Sequence, residues 1–148
     1  MKIADFLLPA NVMIDVSPPH KRQLLSELAQ KAGEVLDIPQ EQIAAELIKR
    51  EELGSTGTGG GIAIPHARIK PLTKPFGILA KLRQPIDFEA IDGGPVDIVF
   101  LLLLPDTTSS EPLSALACVA RKLRDSEAAK LIRQSTDSST LYRAVASD

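Results

Sequence analysis

Hydrophobic residues recur at helical spacing in the first third of the chain. One such face consists of Leu24, Leu25, Leu28, Ala29, Ala32, Val35 and Leu36, and a second consists of Ile43, Ala44, Leu47 and Ile48. This spacing predicts two amphipathic helices, separated by a break at Asp37-Ile38-Pro39. Ser17, followed by two prolines, predicts the start of the first helix, and Gly54 predicts the end of the second.

Other segments have the pattern of strands. Residues 12–16 and 62–64 are short β-type runs, and residues 76–82 alternate apolar with other residues. Residues 96–104, apolar except for Asp97, form a run that ends at Pro105, which is typical of a strand covered on both faces. The mixed residues 86–91 predict a short edge strand before the turn at Gly93-Gly94-Pro95.

The last third of the chain is predicted to be helical. One stripe consists of Leu113, Leu116, Ala117, Ala120 and Leu123. Ser110 and the proline at Pro112 fit the start of that helix, and Ser126 and Asp137 are predicted to cap two further helices. Together the elements predict an α/β fold, a mixed β-sheet flanked by helices on both faces, with residues 1–148 forming a single domain.

Composition narrows the classes of function. The chain has 148 residues, of which 44% are hydrophobic and 24% charged, and its net charge is −2, as in an ordinary globular domain. No basic stripe is present, so no nucleic-acid partner is predicted, and Lys21 and Lys49 are interpreted as solvated surface charges. The longest apolar run is strand-sized and no signal-peptide pattern is evident, which predicts a cytoplasmic protein without membrane insertion.

Metal and thiol chemistry are not predicted. The one cysteine, Cys118, lies in an amphipathic helical stretch and is interpreted as a buried, inert thiol. The two histidines, His20 and His66, have no cysteine or spaced histidine companions that could complete a metal site. We therefore predict neither a metal nor a cofactor, and His20 is interpreted as a surface residue in the first helical turn.

The segment from Gly54 to Gly61 contains five glycines among eight residues, a composition that disfavours regular structure and offers free backbone N–H groups. Such groups and nearby hydroxyls can line an anion-binding nest. The predicted phosphate-binding residues are Ser55, Thr56, Gly57, Thr58, Gly59, Gly60 and Gly61. No Lys-Ser or Lys-Thr pair follows the segment and Ile62 occupies the place of a third motif glycine, so nucleotide binding is not supported.

His66 is the candidate reactive residue beside this loop. Pro65 lacks an N–H group, so the strand is expected to end there and to deliver His66 to a strand end. An imidazole is mostly neutral near pH 7 and can accept a phosphoryl group, while Arg50 and Arg68 can supply positive charge. A lone histidine after a strand is more often a structural or surface residue, and the adjoining glycine loop is what favours chemistry.

These residues resemble a known family. Leu53–Gly57 (Leu-Gly-Ser-Thr-Gly) and Ala63-Ile64-Pro65-His66 are similar to the motifs of the fructose and mannitol type of enzyme IIA domain in the bacterial phosphotransferase system, including its nitrogen-regulatory branch. The resemblance implies a phosphotransferase component that is phosphorylated at Nε2 of His66, with Arg50 close by. It also implies an HPr-like phosphocarrier protein as donor and regulatory target proteins as partners.

Two departures from the family leave alternatives open. Thr58 stands where the family usually has an aliphatic residue, and Pro112 stands where it often has a second histidine, with Ser114 as a weak substitute. A protein-binding regulator that no longer transfers phosphate is therefore one alternative, and a IIA component of fructose or mannitol uptake is another. The nitrogen-regulatory branch is favoured because no transporter or second carrier domain is attached. The sequence gives no indication of oligomeric state.

Overall fold

The computed structural model describes residues 1–147, which form one mixed sheet with helices on both faces. The strands are β1 (Val12–Val16), β2 (Gly57–Gly59), β3 (Ile62–Ala63), β4 (His66–Ile69), β5 (Phe76–Ile86) and β6 (Val96–Pro105). The helices are α1 (Lys21–Leu36), α2 (Gln40–Glu52), α3 (Glu111–Arg124), α4 (Ser126–Gln134) and α5 (Ser138–Ala146). The predicted α/β class, with a single domain, is confirmed over these residues.

The sheet runs in the order β1-β5-β6-β3-β2, and β4 also pairs with β6. β5 and β6 are antiparallel, whereas β1 is parallel to β5, and β3 and β4 are both parallel to β6. The apolar run predicted as a central strand is β6, whose residues are buried except for the half-buried Asp97. A strand with both faces covered must be apolar on both, which explains its continuous pattern.

Two hydrophobic cores lie on opposite faces of the sheet. On one face α1 and α2 pack through residues such as Leu28, Ile43 and Leu47. On the other face α3, α4 and α5 pack through Val119, Ile132 and Leu141. Within residues 1–147, no helix is long and apolar enough to cross a membrane.

Four helix starts were predicted: those at Ser110 and Asp137 lie where predicted, and the other two lie at other residues. α1 begins at Lys21, and its N-cap is His20, whose Nδ1 accepts a hydrogen bond from the Gln23 N–H at 3.2 Å. The Ser17 prediction was wrong because two prolines intervene. α4 is capped by Asp125 rather than Ser126, since the Asp125 carboxylate accepts from the Glu127 N–H. The Asp137 cap of α5 is confirmed.

The face of α3 that is buried differs from the predicted stripe. Ala115, Cys118 and Val119 are buried there, whereas Leu113 and Ala117 are exposed. The predicted stripe therefore includes the partly open side of the helix. The buried thiol is confirmed, and Cys118 Sγ donates to the Met1 carbonyl at 3.4 Å. The predicted edge strand at 86–91 was also wrong, because Ile86 ends β5 and residues 87–91 form a loop.

The glycine segment contains more regular structure than its composition suggested. β2 and β3 form an antiparallel hairpin closed by Gly60 and Gly61, whose φ angles are +68° and +81°. Two successive positive φ angles are what the tightest hairpin turns require, and glycine adopts them without strain. The glycines that were expected to prevent regular structure thus make the turn.

Candidate functional site

His66 is the first residue of β4. The strand is interrupted only at Ile64 and Pro65: β3 pairs Ile62 with Ile98, and β4 resumes in the same register by pairing His66 with Leu102. The Pro65 carbonyl keeps its place in the ladder by accepting the Leu102 N–H at 2.9 Å. The strand does end before Pro65, and His66 lies at a strand end as expected, but the pairing with β6 resumes beyond Pro65 in the same register, since proline removes one donor but leaves its acceptor.

The local backbone fixes which ring nitrogen of His66 is free. Nδ1 lies 2.8 Å from the carbonyl oxygen of Ile64. A carbonyl oxygen only accepts hydrogen bonds, so Nδ1 carries the proton and Nε2 keeps its lone pair. The ring is half-buried. A nucleophilic nitrogen with a fixed tautomer is thus presented at the molecular surface.

A pocket of about 360 Å³ opens over the ring, lined in part by α2, β4 and α3. Arg50, near the end of α2, and Arg68, two residues beyond His66, bring positive charge to its wall. Arg50 Nη1 donates to the Gly54 carbonyl at 2.9 Å, and Arg68 Nη1 donates to the Thr107 carbonyl at 3.1 Å. Each guanidinium retains further N–H donors that an anion in the pocket can use.

The electrostatic environment keeps His66 neutral. Burial of the ring lowers the pKa of His66 below its ordinary value. The hydrogen bond to Ile64 and the charge of Glu51 act in the opposite direction, and the positive charge of Arg50 lowers the pKa as well. Since burial is the largest of these effects, the neutral form dominates at pH 7 and Nε2 is available as a nucleophile.

The lowered pKa predicts how the protein responds to acid. The His66 ring should titrate below about pH 6.5, the ordinary value for histidine. Because the pKa is lower in the folded than in the unfolded state, His66 contributes stability above about pH 6.5 that is lost as the pH falls through the folded pKa. NMR titration of the ring checks the first statement, and the pH dependence of the unfolding free energy, compared with His66→Gln, checks the second. A ring that titrates above 6.5 would contradict both.

The structure separates the predicted phosphate-binding loop into two parts. Thr58, Gly59 and Gly60 do not line the pocket over His66; they line a different cavity of about 550 Å³ next to α3 and α4. The Gly60 N–H donates to Asp92, and the Gly61 carbonyl accepts the N–H groups of Asp97 and Ile98 in β6. The hairpin thus extends away from the imidazole.

The other part of the predicted loop is linked to His66 through hydrogen bonds, but its polar groups already have partners. It consists of Ser55, Thr56 and Gly57. Ser55 Oγ donates to the Phe88 carbonyl at 2.7 Å and accepts the Gly57 N–H at 3.0 Å. The Thr56 N–H and hydroxyl both donate to the Glu51 carboxylate. These residues hold the loop in place, and the amides of Thr56 and Gly57 are not free for an anion.

Several residues that support or line the site were not predicted from the sequence. Lys21, interpreted as a solvated charge, forms a 2.8 Å ion pair with Glu51, so that interpretation was wrong. Leu53 and Leu113, which line the His66 pocket, are 84% and 65% exposed. A hydrophobic residue on the open side of a helix is a signal for such a surface, but the helical period alone assigned Leu113 to the core.

A buried proline, Pro112, occupies the position at which the resemblance implied a second histidine. Pro112 is the second residue of α3, as its early-helix interpretation predicted. Ser114 does not line the pocket, and its hydroxyl donates to the Ser110 carbonyl at 3.2 Å. The α3 side of the pocket is therefore built from Leu113 and Leu116.

A neutral imidazole and an arginine that line one pocket of an α/β domain are a combination that group-transfer proteins can use. Comparison with protein families agrees with this class. Residues 5–148 match the family model described as phosphoenolpyruvate-dependent sugar phosphotransferase system, EIIA 2. The chain belongs to this family, and it is therefore a phosphotransfer component of the phosphotransferase system.

Relatives named nitrogen regulatory protein match almost the whole chain. The protein from Bradyrhizobium diazoefficiens is 43% identical over 146 residues, covering 99% of this chain and 95% of its own length. The protein from Pseudomonas aeruginosa is 34% identical, covering 98% of this chain and 95% of its own length.

Solved structures share the fold. The crystal structure of nitrogen regulatory protein IIA-Ntr from Neisseria meningitidis is 27% identical, has a TM-score of 0.91, and covers 97% of this chain and 98% of its own. The crystal structure of IIA mannitol from Escherichia coli, at 15% identity and a TM-score of 0.77, covers 92% of this chain and 96% of its own. The second similarity concerns the fold alone.

Proposed function

We propose that this protein accepts a phosphoryl group on Nε2 of His66 from an HPr-like phosphocarrier protein and passes it on. The observation that carries the proposal is the hydrogen bond from His66 Nδ1 to the Ile64 carbonyl, which leaves Nε2 free in a pocket that Arg50 also lines. A histidine needs this arrangement to act as a phosphoryl acceptor without a separate base, because Nε2 has no proton to lose.

The transfer step balances without any further reactant. The Nε2 lone pair forms the N–P bond while the phosphorus–nitrogen bond of the donor phosphohistidine breaks, and that bonding pair returns to the donor ring. Negative charge lies on the equatorial phosphoryl oxygens in the transition state, where the free N–H groups of Arg50 can stabilise it. The Nδ1 proton remains on the His66 ring, and the Ile64 carbonyl stabilises the positive charge that the phosphorylated ring acquires.

The rim of the pocket is suited to a protein partner. Leu53 and Leu113 expose apolar surface on either side of the opening, and Lys49 and Arg68 surround it with positive charge. Exposed hydrophobic residues next to a reactive group indicate a docking surface. A protein donor or acceptor can bury these leucines while it aligns its own phosphoryl group with His66.

We further propose that the output is regulatory and that the phosphorylated and unphosphorylated forms bind target proteins differently. Phosphorylation adds one to two negative charges at the pocket, enough to change which surfaces can dock there. The nitrogen regulatory relatives support this proposal because they match nearly end to end. Sugar uptake is the second candidate, supported by a 28% identical match to a fructose-specific EIIABC component from Bacillus subtilis, of which this chain covers 21%.

Incubation with phosphoenolpyruvate and the purified donor proteins tests the proposal. We expect wild-type protein to acquire one acid-labile phosphoryl group, and to lose it when unphosphorylated HPr-like protein is added in excess, because carrier reactions run in both directions. Labelled protein that never empties, or protein that takes no label, would instead favour the alternative of a protein-binding module without transfer.

A further inference from the structure

The buried carboxylate of Glu51 contacts Thr56, in the segment between α2 and β2, and has no part in the transfer step described above. The side chain of Glu51 is 6% exposed, and its Oε2 lies 2.8 Å from Lys21 Nζ. Oε2 also accepts the Thr56 N–H at 3.2 Å, while Oε1 accepts the Thr56 hydroxyl. A carboxylate in such a place is tolerated only when it is paired and hydrogen-bonded, so these contacts strongly fix Thr56 against the end of α2.

Two more hydrogen bonds extend from Thr56 to the imidazole. The Thr56 carbonyl accepts the Ile64 N–H at 3.0 Å, and the Ile64 carbonyl accepts the His66 Nδ1–H at 2.8 Å. Thr56 is 5% exposed, so water does not compete for these groups. The position of the carbonyl that selects the tautomer of His66 therefore depends on the position of Thr56.

Lys21 fixes the carboxylate from the other side. Its ammonium lies 4.6 Å from the centroid of the Phe88 ring and 3.4 Å from the Phe88 carbonyl oxygen. The Ser55 hydroxyl donates to the same carbonyl at 2.7 Å. Glu51 thus joins α1, α2 and the segment around Thr56 through charge-assisted hydrogen bonds, which are stronger than neutral ones.

We propose that Glu51 is a positioning residue for phosphoryl transfer: through Thr56 and Ile64 it holds the His66 ring in the orientation and tautomer that leave Nε2 free. The proposal rests on the proposed role of His66 as acceptor. Glu51 does not touch the phosphoryl group. When the Ile64 carbonyl moves away from Nδ1, the ring is no longer held in the Nδ1–H form, and Nε2 carries the proton for part of the time.

The Glu51→Gln variant tests this proposal, with Glu52→Gln as the matched control. Glutamine has one acceptor oxygen instead of two, so it cannot satisfy Lys21 and both Thr56 donors. We expect long-range ¹H–¹⁵N spectra of the unphosphorylated variant to show a mixture of His66 tautomers, and a lower His66 pKa because a favourable negative charge is lost. Phosphorylation should be about tenfold slower, the size of effect typical when a residue that orients a reactive ligand is removed.

Two outcomes decide the proposal. Glu52 is exposed, so Glu52→Gln should leave the tautomer and the pKa of His66 as in the wild type. Wild-type spectra in Glu51→Gln would overturn the proposal. If Glu51→Gln does not fold, Thr56→Val and Thr56→Ser replace it: valine should give mixed tautomers and serine, which retains the hydroxyl, should restore the Nδ1–H form. Wild-type spectra for Thr56→Val would likewise overturn it.

These spectra also separate the two proposals. They are recorded on protein without a phosphoryl group, so they report on the positioning of the ring whether or not His66 is the acceptor. If wild-type protein takes no phosphoryl group, the proposed function fails, and the dependence of the His66 tautomer on Glu51 is still decided by the spectra alone.

Discussion

A His66→Ala variant is expected to take up no acid-labile phosphate from the donor proteins. Alanine removes Nε2, the pocket nitrogen that can attack phosphorus without first losing a proton. The rate should therefore fall below detection rather than by a small factor. The fold should persist, because the ring is half-buried and its one hydrogen bond is to the adjacent backbone. Circular dichroism and thermal unfolding establish that the variant is folded, and labelling measures the loss.

The chain provides its own control for this experiment. His20 is the other histidine, and its Nδ1 caps α1. His20→Ala should lose about 1 kcal/mol of stability, as is usual when an N-cap is removed, yet it should take up phosphate like the wild type. If His66→Ala is labelled at the normal rate, or if His20→Ala alone loses the label, the acceptor has been assigned to the wrong residue.

An Arg50→Ala variant should accept the phosphoryl group on the order of a hundredfold more slowly than the wild type, the effect of losing one preorganised donor to transition-state charge. Arg50 lines the pocket of His66, and its guanidinium is partly anchored on the Gly54 carbonyl, so its orientation is set before the donor arrives. Rapid-quench labelling measures the rate.

Two further variants make the Arg50 result specific. Arg50→Lys should recover only part of the rate, because an ammonium lacks the planar set of donors that can contact the Gly54 carbonyl and a phosphoryl oxygen together. Arg22→Ala removes an equal charge from an exposed position on α1 and should not slow the reaction. An Arg50→Ala rate equal to that of Arg22→Ala would show that the Arg50 guanidinium makes no specific contribution to the transition state.

Much of the fold was predictable because hydrophobic pattern and burial coincide. The strand predicted at residues 12–16 has the same bounds as β1, and the apolar run at 96–104 is the central strand β6. The residues of β6 are buried on both faces of the sheet except for the half-buried Asp97, so their apolar pattern reflects burial directly. The stripes of α1 and α2 were predictable for the same reason, although Val35 at the end of α1 is 46% exposed.

Some predictions differed from the structure at residues whose sequence pattern fits one role and whose position in the fold gives them another. Leu113 fits a helical stripe but lines the open pocket of His66 and is largely exposed, which the helical period alone does not distinguish from burial. The strand ends before Pro65 as expected, but the pairing with β6 resumes beyond it in the same register. Gly60 and Gly61 were predicted to bind an anion; their positive φ angles close a hairpin, and neither residue lines the pocket of His66.

The sequence alone predicted His66 and Arg50 as site residues, but it did not predict the interactions that orient them. The roles of Glu51 and Lys21 depend on bringing the start of α1 next to the end of α2, contacts between residues 30 positions apart that no local pattern encodes. The tautomer of His66 depends on the direction of one carbonyl, which is also a property of the folded backbone. Motif spacing predicts which residues react, and tertiary hydrogen bonds determine how those residues are oriented.

The central claim is that Nε2 of His66 receives the phosphoryl group while Nδ1 keeps its proton. Heteronuclear NMR of the ¹⁵N-labelled, phosphorylated wild-type protein tests it directly, because coupling between ³¹P and ¹⁵N identifies the bonded nitrogen. We predict one coupling, to Nε2 of His66, with a proton on Nδ1. Coupling to Nδ1 of His66, or phosphorus bonded to any other residue, would contradict the account.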